Sequence, residues 1–207
     1  MKVAMEDIST EQKIKIAAMK EFAQYGLEGA RVDRIAQKAK INKAMIYYHF
    51  KSKEDLYESI LKEFYQEIFP RITGQIPKDK GAEAQLEAIV SLFIDFISRV
   101  DQDVIRMMLR ELSSGGKYFK KLMLPNVIIP MKGFVQELFT AGIQSGAFKK
   151  IVPHLTFIQM LGSIVFTNAI HITLSDTDFG KTIFNEDFFE EYKKNLLTVV
   201  KTGILAS

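Results

Sequence analysis

A chain of 207 residues, 47% hydrophobic and 26% charged, has enough apolar content to bury a core, which excludes wholesale disorder. It contains no cysteine, so disulfides, thiolate metal sites and a cysteine nucleophile are excluded, in keeping with a reducing cytosol. The net charge of +3 is unevenly spread: residues 1–53 hold 11 Lys/Arg against 6 Asp/Glu, whereas the remainder is mildly acidic, which suggests a polyanion partner at one end.

Residues Met1 to Thr10 carry Lys2, Glu6 and Asp7 and no apolar run, so no secretory signal is expected. Ser9 and Gln12 fit a capping box that opens a first helix. Ile14, Ala18 and Phe22 recur at helical spacing, and Gly26 is a natural stop. Val32, Ile35, Ala36 and Ala39 form the apolar stripe of a short second helix. Asn42 is an N-cap candidate for a third helix to about Phe50, anchored to the core by Ile46 and Phe50. Lys53 to Ile72 reads as a longer helix that leaves the first domain and enters the second.

Beyond a loop at Gly74 to Gly81, helices are expected at about 82–99, 103–112, 117–145, 153–174 and 186–203. The third of these is expected to bend or break near Pro125 and Pro130. No stretch alternates with period two, and no internal repeat or low-complexity tract occurs. The predicted fold is all-α, with residues 1–53 as a domain of three short helices and residues 54–207 as a larger helical domain.

Two short helices joined by about three residues form the helix-turn-helix pattern. With Ile46 and Phe50 inward, Ala44 and Tyr48 lie opposite, flanked by Met45 and Tyr47, and Lys43 opens the helix. Small, aromatic and basic side chains on one face suit the major groove. Ala44 permits close approach and can meet a thymine methyl, while Lys43 can reach guanine O6 or N7. Tyr47, Tyr48, His49 and Lys53 suit phosphate oxygens, which set register. The competing explanation for the aromatics is core and interdomain packing.

The run from Arg31 to Tyr57 resembles the DNA-binding segment of TetR-family regulators, through Ile-Ala at 35–36, Tyr-Tyr-His-Phe at 47–50 and Lys-Ser-Lys-Glu at 51–54. The resemblance covers about residues 10–60. It implies base reading by Lys43, Ala44 and Tyr47, phosphate contacts from Tyr47, His49 and Lys53, and DNA near Arg31, Val32 and Asp33 at the start of the second helix. Two positions depart from the family pattern. Lys40 stands where the turn usually has Gly, and Met45 replaces a small hydroxyl residue.

Residues 151–175 contain no charged side chain, a run long enough to raise a membrane span. Pro153, His154, Gln159, Asn168 and His171 interrupt it, so no membrane partner is expected; the helix is read as buried between its own domain and a partner. Phe189, Tyr192, Leu196, Val199 and Gly203 follow a near-heptad spacing in the last helix. The helices at about 153–174 and 186–203 are therefore expected to build a homodimer, where the resemblance also puts it. A monomeric core is the alternative.

The larger domain of this family typically encloses an inducer. Phe96, Met107 and Phe134 belong to a Phe- and Met-rich set suited to an apolar, adaptable pocket, although ordinary core packing uses the same residues. Arg106, Arg110, Gln159, Asn168 and His171 are polar residues on otherwise apolar helices and are candidates to orient a small, largely apolar effector.

Enzymatic motifs are missing. The three histidines form no H-E-x-x-H, and no G-x-S-x-G occurs. Gly115-Gly116-Lys117 fails the Walker pattern at Glu111 and Tyr118. Asp176 and Asp178 beside His171 read as a solvated loop and not as a cation site. No catalytic residue, metal or cofactor is expected. The expectation is thus a cytoplasmic transcriptional regulator, by resemblance a repressor, that binds double-stranded DNA at a palindromic operator. The alternative is a small-molecule-binding or interaction protein whose helix-turn-helix is only structural.

Overall fold

The computed structural model describes residues 8–206. The leader expectation falls largely on residues 1–7, outside those described. The fold is all-α: among the described residues no strand forms, and the one β pairing is an isolated antiparallel bridge between Phe148 and Leu205. The chain divides into two compact units, one of residues 1–66 with 101–125 and one of 67–100 with 126–207. This grouping differs from a single cut after residue 53, because a helix from the middle of the chain packs on the first one.

In the first unit, α1 (Thr10–Gly29) starts where Ser9 Oγ accepts from Gln12 N at 3.2 Å. Ile14, Ala17, Ala18 and Phe22 bury its inner face. The expected stop at Gly26 is instead a break, with φ 70°, after which one more turn runs to Gly29. Glycine takes that left-handed φ without the steric cost a Cβ imposes. The break leaves the carbonyls before it without their helical donors. Arg110 of α6 (Gln102–Ser113) supplies them, its Nε donating to Ala23 O at 2.8 Å and its Nη2 to Gln24 O at 3.0 Å.

Helix α2 (Val32–Ala39) buries Ile35, Ala36 and Ala39 against α1. Lys40 then takes the left-handed conformation, φ 56° and ψ 45°, at a cost of about 1–2 kcal/mol for a non-glycine residue. The compensation is visible: Lys40 N donates to Gln37 O and Ile41 N to Ala36 O, closing the helix end. Helix α3 (Lys43–His49) begins with Asn42 Oδ1 accepting from Ala44 N at 2.9 Å. Ile46 and Phe50 are buried as their spacing predicts.

Glu21 ties α1 to α2 from a fully buried position. It accepts from Lys38 Nζ at 2.7 Å, from Arg34 Nε, and from Arg31 N at 3.2 Å. Burial opposes its ionisation, yet the Lys38 and Arg34 hydrogen bonds outweigh this and hold the carboxyl below its ordinary value. Glu111 is a second buried carboxylate, accepting from Tyr57 Oη at 3.3 Å and from Tyr118 N at 2.6 Å. It thereby joins α6 to α4 (Lys53–Thr73) and to the wide-turned π-helical segment Phe119–Ile128. The expected continuous helix at 117–145 divides there. Pro125, which has no N–H to donate, lies inside the π-helical segment, and α7 (Ile129–Gln144) starts afresh with Pro130 in its first turn.

In the second unit, α5 (Ala82–Arg99), α7 and α8 (Pro153–Leu174) pack on one another, and α10 (Phe188–Ile204) packs on α5. A short helix, α9 (Asp178–Ile183), was not anticipated; Thr177 caps it by accepting from Gly180 N at 2.9 Å. By length and composition α8 could cross a membrane, with a mean hydropathy of 1.5 over its best window. Its buried stripe is Met160, Ile164, Asn168 and Ile172, whereas Leu155, Ile158 and Phe166 stay 53–67% exposed. In α10 the near-heptad stripe splits between faces: Leu196, Val200 and Ile204 are buried at 3.6-residue spacing, and Val199 is 59% exposed.

Candidate nucleic-acid interface

Ile46 and Phe50 face inward on α3, so a rigid helix presents its other side to solvent. Tyr48 is 81% exposed, Tyr47 50% and Met45 37%, with Lys43 and Ala44 exposed beside them. Exposed tyrosines and methionine at a helix surface are unusual for mere solvation. His49 is half-buried, its ring edge-on to Tyr48 at 5.2 Å between centroids.

Below this face lies an open recess of about 440 Å³, lined by residues 30–33, Lys43, Tyr47 and residues 51–54. Two helix N-termini border it. Helix α2 starts at Arg31 without a side-chain cap, and α4 starts with Ser52 Oγ accepting from Asp55 N at 3.0 Å. Backbone N–H groups and the positive dipole end of a helix favour an anion. The recess therefore gathers Arg31, Lys43, Lys51 and Lys53 with those donors.

Two of these cations are already engaged. Lys43 Nζ pairs with Asp33 Oδ1 at 2.8 Å, and that carboxylate holds the ammonium above its ordinary value. Lys53 Nζ donates to Glu28 O at 3.3 Å and Ala30 O at 3.2 Å, closing the end of α1. Arg34 Nη2 adds Gly29 O at 2.9 Å. Arg31, Val32, Asp33, Lys43, Tyr47 and Lys53 thus converge on one recess, while Ala44, Met45, Tyr48 and His49 continue the surface along α3. Lys51, Ser52 and Glu54 join the lining without having been singled out. Their signal was the Lys-Ser-Lys-Glu run itself.

The candidate effector residues fall in both units. Met107 is buried in the first, Arg106 pairs there with Asp103 at 3.2 Å, and Arg110 caps α1. Phe96, Phe134, Gln159, Asn168 and His171 belong to the second. There the Arg71 guanidinium lies 5.5 Å over the Phe96 ring. Phe134 lines a shallow groove of about 430 Å³ with Lys80, Gln85 and Glu137, Gln159 is exposed, and Asn168 is buried. Among the described residues no three His, Cys, Asp or Glu side chains cluster to hold a metal ion.

Residues 16–60 match the family model described as bacterial regulatory proteins, tetR family. Over 202 residues the chain is 26% identical to the HTH-type transcriptional regulator RutR of Escherichia coli strain K12, covering 95% of this chain and 92% of that one. It is 29% identical over 168 residues to the HTH-type transcriptional repressor NicS of Pseudomonas putida, covering 80% and 79%. Among solved structures, the transcriptional regulator FadR of Bacillus subtilis in complex with stearoyl-CoA shares the fold, with a TM-score of 0.66, 20% identity, and coverage of 93% of this chain and 98% of that chain.

Proposed function

We propose that the chain, whose residues 16–60 match the tetR family of bacterial regulatory proteins, is a cytoplasmic repressor that binds a palindromic operator as a homodimer and is released by a small, largely apolar ligand. The observation that carries this is the exposed face of α3, where Lys43, Ala44, Tyr47 and Tyr48 project from a helix whose opposite side is locked into the core. In this reading Lys43, Ala44 and Tyr47 meet base edges, with Met45 on the same exposed face, while Tyr47, Tyr48, His49, Lys53 and the α2 N-terminus at Arg31, Val32 and Asp33 meet phosphates. Lys51 joins them, being exposed at the recess and free of the capping duty that Lys53 performs.

One recognition helix reads only a few base pairs, so a specific operator needs two. A two-fold dimer would present two copies of α3 to major grooves one helical turn apart, about 34–36 Å. The exposed Leu155, Ile158 and Phe166 of α8 and Val199 of α10 support a partner surface, since apolar side chains of this size gain from being covered. The repressor direction follows NicS, named as a repressor, and a ligand in the larger domain is suggested by FadR, a regulator of the same fold solved in complex with stearoyl-CoA. Release requires that the ligand bind the form unable to hold DNA more tightly than the DNA-bound form.

Selection of bound sequences from random duplex DNA by the purified protein tests the proposal. The expected result is an inverted repeat whose half-sites lie one helical turn apart. A protein that ignores duplex DNA even in dilute salt would instead favour the alternative of a ligand-binding protein with a merely structural helix-turn-helix.

A further inference from the structure

Tyr65 Oη, Asn168 Oδ1 and His171 Nδ1 are buried and find no hydrogen-bond partner among the described residues. Tyr65 stands alone in the first unit, whereas the other two sit three residues apart on α8, a spacing that puts them on neighbouring parts of one helix face. Asn168 is only 4% exposed and occupies the buried stripe between Ile164 and Ile172. An aliphatic side chain serves the neighbouring positions of that stripe, so packing alone does not call for an amide. A buried amide oxygen without a donor is costly, and native proteins keep few of them.

Aromatic rings surround the second group. The His171 ring lies 5.0 Å from Phe189, 5.1 Å from Phe184 and 5.9 Å from Phe188, where the planes are within 7° of parallel. The chain after α8 closes tightly: a Cβ on Gly180 would come within 1.7 Å of Leu174 O, so only glycine permits this approach of α9. Burial pushes the imidazole below its ordinary value, which keeps it neutral near pH 7. A neutral imidazole offers one donor and one acceptor.

A second copy docked on α8 does not satisfy these atoms. At 100° per residue Asn168 points about 200° away from Phe166, on the side packed within its own chain. A charged ligand group is also poorly served. From Pro153 to Leu174 α8 carries no Asp, Glu, Lys or Arg, and Lys193 on α10 is already held by Asp95 at 2.6 Å and Glu190 at 3.1 Å.

We propose that Asn168 and His171 are the polar anchor of the effector site, and that the effector is an uncharged, largely apolar molecule whose hydroxyl or amide head group donates a hydrogen bond to Asn168 Oδ1. This rests on the reading of the chain as a ligand-released regulator and names the chemistry of that ligand. The apolar body packs on the Phe-rich surroundings, and the anchor supplies selectivity, because a site built for a donor rejects molecules that leave its acceptor unpaired.

The test is thermal unfolding of the full chain, with decan-1-ol, decanamide and decanoate as probes of equal chain length. The expected result is that decan-1-ol or decanamide raises the wild-type melting temperature and decanoate leaves it unmoved. Asn168→Leu should raise the unliganded melting temperature by about 2–4 °C, since it removes an orphaned polar atom, and should abolish the probe shift. His171→Phe should weaken the shift at least threefold. An Asn168→Leu protein that melts below the wild type, or fails to fold, shows that a buried water or protein group already satisfies the amide and overturns the inference. So does a wild type that neither donor probe stabilises, or one that decanoate stabilises equally. Operator binding by fluorescence anisotropy, measured without probes, separates the two layers. Loss of wild-type DNA binding would sink the regulator reading, while the melting data would still decide the anchor.

Discussion

Asp33 Oδ1 lies 2.8 Å from Lys43 Nζ, so the lysine at the head of α3 is held by a carboxylate from the first turn of α2. Both side chains are largely solvent-exposed, and such a pair contributes little to stability. Its consequence is for binding. A carboxylate in a cationic recess repels phosphate, and in the proposed DNA complex Lys43 would have to exchange it for a base edge.

Asp33→Ala should therefore raise affinity for random duplex DNA by about threefold to tenfold and narrow the gap between operator and random sequence. Competition titrations with the two DNAs measure both quantities. An unchanged affinity ratio would remove Asp33 from any part in selectivity.

Lys51 and Lys53 should separate cleanly. Lys51→Ala should reduce the slope of log affinity against log salt by about 1, with no change in melting temperature, if Lys51 makes the proposed phosphate contact. Lys53→Ala should also cost about 1 kcal/mol of stability, since Nζ caps the carbonyls of Glu28 and Ala30. Denaturant unfolding of both variants, beside salt titrations, checks the difference. Equal stability of the two would contradict the capping role.

Glu21 should make stability depend on pH in the acid range. Its folded carboxyl is held below the ordinary value of 4.5, so its contribution is fully present above that value. It is lost as pH falls through the lower folded value. Glu21→Gln should lower stability by about 2–4 kcal/mol at pH 7 and flatten the dependence of melting temperature on pH below the ordinary carboxyl value of 4.5. A variant with the wild-type pH profile would show that the pairs with Lys38 and Arg34 do not carry the dependence.

Phe166 tests the assembly. Phe166→Glu places a charge on the 67%-exposed apolar face of α8 without touching the buried stripe. Sedimentation should then report a monomer, with helical content retained and operator affinity lowered at least tenfold. A variant that still sediments as a dimer would move the interface elsewhere.

Much of the first unit was legible from residue order, because its signals are local. The Ser9 and Asn42 caps, the stripe of α2 and the inward pair Ile46 and Phe50 each depend on residues within one or two helical turns. The departure at Lys40 was visible in the residue order, but only the backbone shows that the lysine keeps the left-handed turn in place of glycine.

The roles of the charged residues were decided only by the tertiary structure. Lys53 reaches carbonyls 23 and 25 residues back, and Arg110 reaches carbonyls 86 and 87 residues back. No periodicity encodes such a pairing, so the part these two basic side chains play in closing the end of α1 is visible only in the folded chain. The split of Val199 from Leu196, and the orphaned oxygen of Asn168 among aliphatic neighbours, have the same origin. Sequence spacing determines which residues share a helix face, but only the packing of distant helices determines which face is covered and which polar atoms are left to find a partner.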